Sequence, residues 1–146
     1  MDKQILFISD KHRLFYEENI DRVREKDCYH MALIYTLGMN ADCRDHFTEI
    51  YDLKSGMVNP DCLFSGWQTS GSMKVIRMAF NLYCNSMPSI DSFTGEENKL
   101  REASLYSVEE LFYCSYAPFF WQAVQIRYPE YREYNFEFHK SLGQRD

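Results

Sequence analysis

The chain has 146 residues, 45% of them hydrophobic and 16% aromatic, which suits one domain with its own core and excludes a disordered tail. A formal net charge of −6 excludes a sequence-independent nucleic-acid binder, which needs a basic face to displace counterions from phosphate. No apolar run reaches the ~18 residues of a membrane span, and the apolar patch in MDKQILFISDKH is too short for a secretory signal, so a cytoplasmic location is expected.

Ser9 or Asp10 can cap a first helix that the spacing of Phe15, Tyr16, Ile20 and Val23 extends to about Lys26. Residues 5–8 before it read as a short strand or an extended lead-in. A second helix is predicted over Tyr29–Leu37, with Gly38 as its stop. MALIYTL is apolar nearly all round, which places this helix at the centre. Asn40 or Asp42 can cap a third helix to about Tyr51, burying Phe47 and Ile50.

Asn59-Pro60 reads as a cap and first-turn proline of a short helix. Thr69 or Ser70 opens a strong helix to about Cys84, in which Val75, Ile76, Ala79, Phe80, Leu82 and Tyr83 recur at helical spacing. Residues 85–104 are polar and turn-rich and are expected to form a mobile loop. Ser107-Val-Glu-Glu110 has the form of a capping box, and Pro118 either interrupts that helix or opens a new one that ends before Pro129. The tail alternates polar and aromatic residues from Tyr134 to Phe138, as a strand or strap would. The expected fold is one mostly α domain over residues 1–146, a compact body of about six helices with a short strand at the N-terminus or in the C-terminal tail.

The stretch DCYHMALIYTLGMNADCRDHF holds Cys28, His30, Cys43 and His46, ligand types that zinc takes in tetrahedral sets. Cys43 and His46, three apart, share a helix face. If the two helices form a hairpin about Met39, His30 and His46 differ by roughly 3 Å in level, but Cys28 and Cys43 by roughly 10 Å. A full set therefore needs Cys28 and His30 outside a helix; alternatively, three of the four share a metal with Cys62, Cys84 or water. Structural zinc on these four residues is the expectation, set against ordinary core Cys and His. The five Cys, at 28, 43, 62, 84 and 114, are an odd number, which favours reduced thiols over a disulfide framework. A catalytic Cys–His pair is the weaker reading, because it needs an activated thiol in a cleft.

Glu17, Asp21 and Glu25 fall at successive i,i+4 positions of the first predicted helix. They read either as a solvated face or as an acidic stripe that meets a basic groove on a partner. Tyr128, Tyr131 and Arg132 close a segment rich in Tyr and Arg, the residue types that concentrate in protein interfaces. GWQTSGSMK lacks the Gly-Lys-Ser/Thr of a phosphate loop, and no zinc-protease, nucleophile-elbow or dinucleotide motif is present.

DCYHMALIYTLG, WQTSGSMKVIRMAFNLY and YSVEELFYCSYAPFFWQAVQIRYPEY together resemble an uncharacterised family of small proteins from mobile elements and prophages of Gram-positive bacteria, over Phe7–Tyr131. The resemblance implies a small cytoplasmic accessory protein of an invading element. Such elements carry anti-CRISPR inhibitors, so the expected function is a non-enzymatic inhibitor that binds a type II RNA-guided effector nuclease and blocks loading of nucleic acid. Its partner would be that protein, with no direct nucleic-acid or membrane contact. The basic heteroduplex channel of such a nuclease gives an acidic protein something to bind. The alternatives are a small Cys/His metal- or thiol-dependent enzyme and an accessory factor of element transfer.

Overall fold

The most apolar helix lies at the centre. In α2, Cys28–Leu37, the side chains of Ala32, Leu33, Ile34, Tyr35 and Leu37 are fully buried. A helix that is apolar on all sides must be covered on all sides. α5, Ser70–Cys84, and α8, Ala117–Arg127, pack on it most extensively, and α1, Asp10–Asn19, closes another flank. The computed structural model describes residues 4–131. Within them the chain forms eight α-helices and three 3₁₀ turns, and the only β pairing is one antiparallel bridge between Tyr51 and Val58. The mostly α, single-domain expectation therefore holds. The predicted strap over Tyr134–Phe138 lies outside the described residues.

Several boundaries differ for local reasons. α1 stops at Asn19 rather than Lys26, because the Asn19 side chain donates to Phe15 O at 2.8 Å and the chain turns at Ile20. A side-chain amide competing for backbone groups is a common way for a helix to end. The turn still delivers Ile20 and Val23 to the core. The third predicted helix is two short ones, α3 (Ala41–Asp45) and α4 (Phe47–Ile50). They break at His46, whose Nδ1–H donates to Asp42 O. The lead-in at residues 5–8 is extended and unpaired as a strand. Leu6 N–H donates to Gln122 Oε1 on α8, and Leu6 O accepts from the Tyr35 hydroxyl.

Gly38 does end α2, but at φ −67° it is not in the left-handed conformation expected of a C-terminal glycine. Its role is close approach. A β-carbon there would stand 2.8 Å from His12 Cδ2 and 2.9 Å from Phe15 Cδ1 of α1. At this end Ile34 O and Thr36 O take the N–H groups of Gly38 and Met39, and the Arg44 guanidinium donates to Gly38 O at 2.7 Å.

Residues 85–104, expected as a loop, contain a 3₁₀ turn at Pro88–Ser92 and helix α6, Glu96–Ser104. Buried Glu102 anchors them. It takes a two-point bond from Arg77 of α5 and a hydroxyl from Ser89, which also pairs with Tyr106. Then α7, Val108–Phe112, follows, capped by the Ser107 side chain on Glu110 N–H. The predicted α5 cap is a full reciprocal box between Thr69 and Ser72. The Asn59-Pro60 start gives a 3₁₀ turn, Pro60–Phe64.

Candidate functional site

The four predicted metal ligands part company in the fold. His30 sits in the first turn of α2, almost wholly buried. Asp27, the cap of that helix, accepts from both His30 N–H and His30 Nδ1–H at 2.9 Å. The other ring nitrogen, Nε2, stands 3.1 Å from the Tyr51 hydroxyl and 3.2 Å from that of Tyr83. Tyr83 donates to Gly56 O at 2.6 Å. With Nδ1 donating to Asp27, Nε2 of the neutral ring accepts, and Tyr51 is the phenol free to donate to it.

Cys43 lies in the core, its thiol turned to Ser72 O. Burial pushes that thiol far above the ordinary range. His46 stacks flat on Trp67, ring centroids 4.1 Å apart. Cys28, at the start of α2, faces Arg127 at 3.7 Å. Among the described residues, no three His, Cys, Asp or Glu side chains are grouped so as to hold a metal ion.

His30 does line a cavity of about 270 Å³, with Arg24, Glu25, Ser55, Gly56 and Tyr83. Arg24 reaches over Gly56 to donate to Ser55 O at 2.8 Å. The wall is thus built by the α1–α2 connection, the 52–57 turn and the end of α5. Burial weighs against charge on Asp27, but the His30 backbone and ring N–H groups outweigh it and hold the carboxyl below its usual range. Asp27 is therefore an anion that orients His30. Burial raises Tyr51 and Tyr83, so both phenols stay protonated at neutral pH. The arrangement can orient a small polar ligand, but it offers no phenolate as a nucleophile or base.

The acidic stripe is also redistributed. Because α1 ends at Asn19, only Glu17 of the three lies on it, and Asp21 and Glu25 fall in the connection to α2. Glu17 pairs with Arg13 at 3.5 Å and Asp21 with Lys26 at 3.3 Å. Glu25 lines the His30 cavity. Tyr128 packs on the Arg127 guanidinium and against Tyr131, which is exposed, and Arg132 lies outside the described residues.

Sequence reasoning missed Arg24, Tyr51 and Tyr83 around His30, and Arg127 beside Cys28. The one local signal was Asp27, three residues before His30 at a capping position. The others come from elements remote in the chain and carry no spacing signature.

Neither the curated proteins nor the solved structures include a match. A family of unknown function, DUF6075, matches residues 2–140, and with nearly the whole length covered, the chain belongs to that family.

Proposed function

We propose that the protein acts by binding a protein partner through its acidic surface, as an inhibitor that docks on a basic, nucleic-acid-handling groove. The observation that carries this reading is how the reactive side chains are spent. His12, His30 and Cys43 are bonded within the fold, and His46 bonds Asp42 O one turn back and stacks on Trp67, while the chain as a whole carries a net charge of −6. An acidic surface suits a basic groove and repels free nucleic acid. The partner class is the guide-loaded type II effector nuclease, which the resemblance in sequence suggests. The test is titration of the protein into that effector, with target-DNA binding and cleavage measured separately. Stoichiometric loss of target binding is expected, and unchanged binding across several such effectors would overturn the partner class.

One observation favours a small enzyme instead: Asp27 orients His30 beside an open cavity. His30→Ala separates the two readings. A binding protein keeps its inhibition when this variant folds, whereas an enzyme that uses the imidazole loses its activity.

A further inference from the structure

The chain's net negative charge is concentrated away from Glu17, Asp21 and Glu25. Residues 91–113 carry six carboxylates against two cations, which is net −4 of the chain's −6. Of these carboxylates, Glu102 is consumed by Arg77, and Glu97 makes only a 3.9 Å pair with Arg101. Glu96, Glu109 and Glu110 are exposed and form no ion pair among the described residues. Large apolar side chains fall in the same stretch of chain: Leu100 is 66% exposed, Val108 75% and Tyr113 84%. Apolar and aromatic groups this bare in one stretch are the ground for reading it as an interaction surface, since aromatic side chains concentrate in interfaces.

This arm, residues 91–113, is held in place. Beneath it, Glu102 is held by Arg77, Ser89 and Tyr106, and Lys74 of α5 donates to Tyr113 O at 2.9 Å. A surface ordered before binding loses less entropy when it docks.

We infer that α6 and α7 form the docking face, and that its occupant is a basic amphipathic helix of the partner protein, with apolar residues against Leu100, Val108 and Tyr113 and Lys or Arg against Glu96, Glu97, Glu109 and Glu110. This rests on the reading of the protein as a partner-binding factor and replaces the α1 stripe as its face. Charge selects the occupant. Phosphate and anionic lipid are repelled by the unpaired carboxylates, and a second copy would set like charges against each other.

The test uses the full chain with a fluorescein-labelled amphipathic Leu/Lys helical peptide as probe, read by anisotropy and by amide chemical-shift mapping. Expected are shifts centred on residues 96–113, binding that weakens with added salt, and a loss of about tenfold in affinity for Glu109→Lys with Glu110→Lys or for Leu100→Ser with Val108→Ser. Glu17→Lys with Asp21→Lys should leave affinity unchanged. Shifts centred elsewhere, no binding, or self-association through the arm would overturn the proposal. The same variants, added to the effector titration, separate the two readings. Inhibition that survives the arm variants sinks the arm and keeps the inhibitor. Peptide binding without inhibition of any effector keeps the arm and sinks the named partner class.

Discussion

The guanidinium of Arg127 lies 3.6 Å from the centre of the Tyr29 ring, and on the side of Tyr128 it is 4.5 Å from that ring. No carboxylate among the described residues pairs with it. A buried cation needs compensation. Here it comes from carbonyl and amide oxygens at the end of α5, where Arg127 donates to Leu82 O and to Asn85 Oδ1, and from the two aromatic faces. Arg127 thus ties the C-terminal ends of α5 and α8 to the start of α2.

Arg127→Lys keeps the charge but loses the planar fork, so it cannot stack and bond both acceptors together. It should cost about 2 kcal/mol in urea unfolding. Tyr29→Leu, which removes one aromatic face only, should cost about 1 kcal/mol. A lysine variant as stable as the parent would show that charge alone suffices.

The buried Arg77–Glu102 pair, at 2.8 and 3.1 Å, gives a sharper case. Glu102→Ala strands Arg77 and should cost about 3–5 kcal/mol. Arg77→Met with Glu102→Leu removes both charges and should cost less than Glu102→Ala alone. A double variant as unstable as the sum of Arg77→Met and Glu102→Leu made singly would mean the two side chains act independently.

The core helices were legible because their signals are local. Ser9 and Thr69 cap where the spacing demands, and the all-apolar MALIYTL could only be central. Helix ends set by side-chain competition were not legible, since Asn19 and His46 show nothing in sequence that separates them from helix-compatible residues. The polar stretch 85–104 was misread because its organiser, Glu102, is buried by Arg77 from α5, 25 residues away. The candidate site divides in the same way. Asp27–His30 was within reach as an i,i+3 pair, but its phenols arrive from α5 and from the turn after α4.

The thiols give an inexpensive check on the core. Cys43 and Cys62 are buried, and burial raises both, Cys62 up to about 12. The thiolate is the reactive form. In native protein at neutral pH, an aromatic disulfide reagent should titrate at most Cys28, Cys84 and Cys114, which are partly exposed. Cys43 and Cys62 should react only at the rate of unfolding. Rapid modification of either, located by mass spectrometry, would contradict the packing of α3 on α5 or of the Pro60–Phe64 turn into the core.

His12 makes stability depend on pH in a definite direction. Its ring is fully buried between an obligate donor and an obligate acceptor. Ile8 N–H donates to Nδ1 at 3.1 Å, and Nε2–H donates to Tyr35 O at 2.7 Å. A second proton on the ring would set Nδ1–H against Ile8 N–H. Burial is the main cause that lowers the folded pKa from 6.5 to about 4; the Tyr35 carbonyl opposes it in part, and Arg44 adds to it. The unfolded chain therefore binds the extra proton at a higher pH than the folded one. The contribution of His12 to stability is complete above the unfolded value and is lost as pH falls from 6.5 to about 4. The slope is about 1.4 kcal/mol per pH unit, and the total is about 3 kcal/mol. Carboxylates such as Asp27, whose folded pKa is depressed, also lose stability on acidification, but in a lower range. They are common to a wild-type and His12→Gln comparison, and cancel in the difference. The stability gap between the two proteins should therefore be widest near pH 7 and narrow steadily toward pH 4 in urea unfolding. A gap that stays constant over that range would show that His12 takes up its proton without leaving its place between Ile8 and Tyr35.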